Sequence, residues 1–127
     1  MKTDDGNEKD IFVCDNSAEA MIFYLNPEGK ACSVESGDGF EAVREAVIPE
    51  KYRGLPVTAI EKEGFYESSA LVRMTIPAGI KSIGEAAFMY CASLEDVYYG
   101  GSREEAKNIC IAENNEPLLN AVWHYAE

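Results

Sequence analysis

The sequence predicts an α/β chain: a short solenoid of parallel strands with a β-hairpin at its amino end and a helix plus a strand at its carboxy end. Three observations predict it. Ile60, Phe65 and Leu71 recur 23 residues later as Ile83, Phe88 and Leu94. Asn26-Pro27-Glu28-Gly29 divides two apolar or β-branched runs, and Ser102-Arg103-Glu104-Glu105 has the Ser and Glu of a helix capping box.

The repeat is an apolar skeleton. Val57 answers to Ile80, Gly64 to Ala87, Met74 to Val97 and Ile76 to Tyr99, whereas Arg73 against Asp96 and Lys62 against Glu85 vary freely. A unit this short cannot bury its own apolar face and must stack on neighbours, and a period in the low twenties is the range of leucine-rich repeats. Phe65 and Phe88 are expected to plug the centre of the stack.

Along the chain, residues 1–10 (MKTDDGNEKD) mix charges and turn formers without periodicity and are expected to be a disordered end. A single domain spans 11–127, with an amino-terminal cap over 11–42, repeats over 43–99 and a carboxy-terminal cap over 100–127. Ile11 to Cys14 and Ala20 to Leu25 read as strands. Pro27 presets a turn, Gly29 accommodates positive φ, and Lys30 to Glu35 returns as the hairpin's second arm. The hairpin is expected to cover the apolar edge of the first stacked unit. Val43, Ala46 and Ile48 stand 28 residues before Leu71, Met74 and Ile76, so five extra residues fit between Pro49 and Ile60. From Ser102 a short helix is expected, with Ala106, Ile109 and Cys110 on one apolar side. Residues 114–117 read as a loop, and 121–125 as a closing strand.

Ile48-Pro49, Gly54-Leu55-Pro56-Val57-Thr58-Ala59-Ile60, Thr75-Ile76-Pro77 and above all Ile83-Gly84-Glu85-Ala86-Ala87-Phe88-Met89-Tyr90-Cys91-Ala92-Ser93-Leu94 resemble bacterial BspA-type leucine-rich repeats. Glu61, Gly64 and Ser68 depart from that pattern. Residues 43–125 carry the resemblance, and 11–42 are loosely similar to an amino-terminal cap. It implies a curved solenoid used for adhesion or protein recognition, with no catalytic residues and no cofactor.

The chain has 127 residues and a net charge of −12. Through Glu67 there are 15 acids and 7 bases, and after it 8 acids and 4 bases, so the excess tilts toward the amino-terminal half. With 11 Lys and Arg against 23 acids, the surface repels nucleic-acid phosphates, and direct nucleic-acid binding is not expected. No apolar run reaches the length of a membrane span, and the acidic first residues are no secretory signal. As written, the chain is expected in the cytoplasm, or at the cell surface or secreted if it is part of a longer protein.

Cys14, Cys32, Cys91 and Cys110 contain no CxxC pair, and His124 is the sole histidine, so neither a structural metal site nor a catalytic residue is expected. Cys91 stands where Ser68 does in the earlier repeat and reads as core. The other three read as free thiols unless the protein is exported. Hydrolase, phosphate-loop, dinucleotide and zinc-protease motifs are missing. Gly100-Gly101-Ser102 reads as the start of a helix, and Glu61, Glu63 and Glu67 as a wet surface.

Strand alternation selects the candidate binding strip. With the apolar residues inward, Glu45 and Val47, Arg73 and Thr75, and Asp96 and Tyr98 line the exposed face. Tyr52 and Arg53, on the inserted segment, form a second candidate site as an exposed loop aromatic with its neighbour. The expected partner is another protein. The competing reading is a small acidic intracellular inhibitor or immunity-type protein that blocks a basic nucleic-acid-binding enzyme or toxin, through mimicry of nucleic acid.

Overall fold

The computed structural model describes the backbone of residues 10–12 and residues 20–126 in full. Residues 1–9 of the expected tail, and Cys14, lie outside the described residues. Asp10, placed in that tail by the sequence reading, is the first residue of strand β1 (Asp10–Phe12).

Among the described residues, the strands form two sheets. The first holds β1, β2 (Met21–Leu25), β3 (Cys32–Ser36), β6 (Leu55–Ile60), β8 (Ser82–Ile83) and β10 (Cys110–Ile111), in that order, with β5 (Lys51–Tyr52) paired to β6. The second holds β11 (Val122–Tyr125), β9 (Asp96–Tyr99), β7 (Arg73–Ile76) and β4 (Glu45–Val47), all parallel. Glu45, Arg73, Asp96 and Val122 stand side by side, so each circuit of the chain advances the ladder by one strand. β11, expected as a closing strand outside the repeats, is in register with them.

The hairpin forms where its turn residues place it. Asn26 Oδ1 accepts the Lys30 and Ala31 amides, and Gly29 takes φ +73°. Its second arm, β3, then pairs parallel with β6, which carries the first sheet beyond the first repeat. Tyr24 donates to the Glu35 carboxylate across the hairpin.

Opposite the strands, short arcs close each circuit. Glu63, Phe65 and Glu67 donate their backbone N–H to the carbonyls of Glu85, Ala87 and Met89 at 2.8–2.9 Å, so neighbouring arcs are tied backbone to backbone. Phe65 stacks on Phe88 with centroids 5.5 Å apart, as expected, and Phe40 extends the row, 5.0 Å from Phe65. All three rings are buried. The arcs turn tightly at side-chain-bearing residues in the left-handed region: Glu63 and Ala86 correspond, as do Glu67 and Tyr90, with φ between +57° and +64°. The arcs also approach closely at Gly84, where a Cβ would lie 2.5 Å from the Lys62 nitrogen. Cys91 is buried as expected and donates to the Phe65 carbonyl. Burial pushes its thiol pKa up to about 11.

Two expectations at the carboxy end need correction. The capping box is present, with Ser102 Oγ accepting the Glu105 amide at 3.1 Å and Glu105 accepting the Ser102 amide at 2.8 Å. Helix α1 (Arg103–Ala106) is only one turn long, however, and Cys110 is an exposed residue of β10 rather than part of an apolar helix face. The Cys110 strand pairs with Ser82, while Ile109 is buried and Ala106 packs against the core. The expected loop over 114–117 instead leads into helix α2 (Glu116–Asn120), with Asn115 at its N-cap and Pro117 in its first turn, where the missing N–H has no partner to lose. Leu118 locks this helix into the core.

Candidate binding surface

The second sheet presents two columns of side chains on its exposed face. One runs Glu45, Arg73, Asp96, Val122, and the other Val47, Thr75, Tyr98, His124. Alternation produces the arrangement: Ala46, Met74, Ile76, Val97 and Tyr99, between or beside them, are buried.

Charges alternate along the first column and connect to the second. Arg73 Nη1 lies 2.5 Å from Glu45 Oε2, and its Nε lies 3.8 Å from Asp96 Oδ2. The Glu45 hydrogen bond and charge together hold the guanidinium above its ordinary pKa. Asp96 Oδ1 also sits 2.9 Å from His124 Nε2. The His124 ring stacks on Tyr98 at 4.5 Å between centroids and 14° between planes. Glu45, Arg73, Asp96, His124 and Tyr98 are therefore one connected surface, with Thr75 between Val47 and Tyr98 in the ladder. This surface offers a cation, carboxylates, a hydroxyl and a flat ring pair side by side, and of these side chains Arg and Tyr are the types enriched at the anchoring positions of protein interfaces.

Of the expected site residues, five come together here. Tyr52 does not: it is 7% exposed and stacks on Phe23 with centroids 4.3 Å apart. The inserted segment is a β-hairpin in which Tyr52 pairs with Leu55, and the turn residues Arg53 and Gly54 both take positive φ. This geometry directs the tyrosine ring into the core, and leaves Arg53 exposed beside it, 5.5 Å from its ring centroid. Both belong to the first sheet's β5–β6 turn, apart from the strip. His124 and Val122 are the strip residues that the sequence reading missed. The alternation of Trp123 and Tyr125 with them is the signal that places them on the outer face.

Residues 42–118 match the family described as the BspA type leucine rich repeat region (6 copies). Among solved structures, a leucine-rich repeat protein from Bacteroides capillosus ATCC 29799 is 22% identical, with a TM-score of 0.59 over 84% of this chain and 95% of that one. A leucine rich repeat protein of T. pallidum is 23% identical, with a TM-score of 0.58 over 69% of this chain and 44% of its own. A leucine rich cell surface protein from Faecalibacterium prausnitzii A2-165 is 20% identical, with a TM-score of 0.55 over 84% of this chain and 31% of its own. The chain thus spans less than half of the last two proteins, and these likenesses establish the fold. No curated protein matches the chain. No helix among the described residues is long and apolar enough to cross a membrane.

Proposed function

Because the chain belongs to the BspA type leucine-rich repeat family, we propose that it is a non-catalytic recognition module that binds another protein through the exposed face of β4, β7, β9 and β11. The observation that carries this reading is the connected surface from Glu45 through Arg73 and Asp96 to His124 and Tyr98. It is broad and open, a shape suited to a protein surface. The named cell surface relative supports placing the module in an exported protein.

The molecule acts as one unit over 11–127, with the β2–β3 hairpin covering the amino end of the repeat stack. At the carboxy end the cover is partial, because α2 closes the arc row while β11 remains an outer strand.

The test is capture of a partner by the parent chain, followed by Arg73→Ala, Tyr98→Ala and His124→Ala combined. The triple variant is expected to keep its circular dichroism and lose about 2 kcal/mol or more of affinity, roughly thirtyfold. Unchanged affinity would discard this face. Turnover of any substrate that disappears with His124→Ala would discard the non-catalytic reading.

A further inference from the structure

Tyr66 and Tyr90 stand on the outer side of neighbouring arcs, 40% and 54% exposed. Phe65 and Phe88, shortly before them in the chain, turn into the core, so the same arcs that bury one ring present another outward. Between the two tyrosines the Glu67 amide donates to the Met89 carbonyl at 2.8 Å, and this backbone rung sets their separation. The rings meet edge to face, with centroids 5.5 Å apart and planes at 70°. They form a corner on the surface rather than a flat platform.

The corner is acidic. Glu63 and Glu67 are exposed on the same arc as Tyr66 and, among the described residues, neither pairs with a basic side chain. Across residues 61–69 and 84–93 the acids Glu61, Glu63, Glu67 and Glu85 outnumber one base, Lys62. The Tyr66 phenol is held above its ordinary pKa by loss of hydration, and then by the Glu67 carboxylate, the Tyr90 phenol and the Glu63 carboxylate, which places those groups around it. Two other tyrosines have a guanidinium of the same chain over the ring: Arg53 lies 5.5 Å from the Tyr52 centroid and Arg103 4.7 Å from that of Tyr125. Among the described residues, no such cation covers Tyr66 or Tyr90.

We propose that the Tyr66–Tyr90 corner is a second interaction site, whose occupant is a lysine-rich segment of a partner protein. An ammonium group set against the rings gains from their negative π faces, and its charge complements Glu63 and Glu67. A compact ammonium suits a corner, whereas a planar guanidinium stacks on an open face.

Other occupants fit less well. An apolar surface would desolvate two carboxylates without supplying partners, and an acidic segment or a nucleic acid would meet like charge. A sugar stacks on a flat face, and planes at 70° offer it no shared one. The corner lies on the arcs and uses no residue of β4, β7, β9 or β11, so it stands separately from the sheet-face reading.

The experiment is an NMR titration of the full chain with a blocked peptide carrying a run of lysines, and with its counterpart carrying acetyl-lysines. It is run at about 0.15 M salt, where charges beyond ~8 Å are screened. The lysine peptide is expected to shift the Tyr66 and Tyr90 ring resonances, and the acetylated peptide to leave them in place. Tyr66→Leu with Tyr90→Leu should raise the dissociation constant at least ~5-fold with the circular dichroism spectrum retained. Tyr90→Phe should hold it and Tyr90→Trp lower it, the order of a cation–π contact. Glu63→Gln with Glu67→Gln should weaken binding, whereas Glu28→Gln with Glu50→Gln, an equal loss of exposed charge elsewhere, should leave it unchanged. If the double leucine variant misfolds, the Phe and Trp series carries the test. Equal binding of the two peptides, shifts confined to other residues, ring shifts produced instead by an acidic peptide or by maltotriose, or a ring series without effect would overturn the proposal.

Discussion

Asn115 completes for Phe88 the hydrogen bond that Ala87 completes for Phe65. The Phe65 amide donates to a backbone carbonyl at 2.8 Å, and the Phe88 amide, one circuit on, donates to the Asn115 Oδ1 at 2.9 Å. The Asn115 Nδ2 meanwhile donates to the carbonyls of Gly84 and Ala112 at 3.0 and 2.9 Å. A buried side-chain amide thus ends the row of arcs in place of another rung. Asn115→Ala should leave the Phe88 N–H and the Ala112 carbonyl short of partners, while the Gly84 carbonyl keeps the Ala87 N–H, and cost about 2 to 4 kcal/mol, read from urea unfolding. Asn115→Asp should be at least as damaging near neutral pH, since it removes both donors and buries a carboxylate. A loss below about 0.5 kcal/mol for either variant would show that water replaces the side chain.

The aromatic row makes a second, graded claim. Phe65 touches a ring on each side and Phe88 on one. Both Ala substitutions should cost about 3 to 5 kcal/mol, with Phe65→Ala the larger because its cavity is walled by two rings. Equal thermal unfolding of parent and Phe88→Ala would remove that ring from the stack.

Backbone geometry predicts opposite effects for two small changes. Gly84→Ala forces a Cβ against the Lys62 backbone, which cannot yield as a side-chain tip could, and should prevent tight stacking of the arcs. Glu67→Gly relieves a left-handed residue at φ +58° on an exposed arc and should stabilise by about 0.5 to 1 kcal/mol. Paired denaturant midpoints decide both, and a destabilised Glu67→Gly would mean that its side chain does more than tolerate the turn.

Alkaline pH should weaken the fold through Cys91. Burial raises its thiol from an ordinary value of 9.0 to about 11, so the folded state holds the proton more tightly than the unfolded chain. The associated stability is present below pH 9 and is lost as pH rises toward 11, a change of about 2 to 3 kcal/mol. Tyr24, raised to about 12 chiefly by its hydrogen bond to Glu35, acts in the same direction at still higher pH. Cys91→Ser isolates the thiol, because Ser68 occupies the equivalent buried place one repeat earlier. The pH 9–11 limb of the stability profile should flatten in that variant, and an unchanged limb would assign it to other groups.

The repeat, the hairpin, the capping box and the outward face of β4, β7 and β9 were legible because each rests on local spacing or turn chemistry. The 23-residue period fixes Phe65 on Phe88, and alternation alone turns Arg73 and Tyr98 outward. The missed features depend on what the chain meets at a distance. The Tyr52 ring enters the core because the β5–β6 turn places it on Phe23, a residue 29 positions earlier. Phe40, Asn115 and His124 continue their rows after intervals of 25, 27 and 26 residues to or from the neighbouring rung, so insertions hide them from a strict repeat. The spacing of Cys110 from Ala106 predicts a helix, yet Cys110 pairs with β8 as a strand.

Arg73, held between carboxylates on both neighbouring strands, has a thermodynamic consequence for association. A long cationic side chain ordinarily surrenders its rotational freedom when it is captured at an interface, at a cost of about 0.5 to 1.5 kcal/mol. Here part of that freedom is given up on folding, through the Glu45 hydrogen bond and the Asp96 ion pair that the parallel register brings within reach. A visiting surface would therefore find a guanidinium already aimed, and the distinction between related visitors would lie in how long they stay rather than in how quickly they arrive.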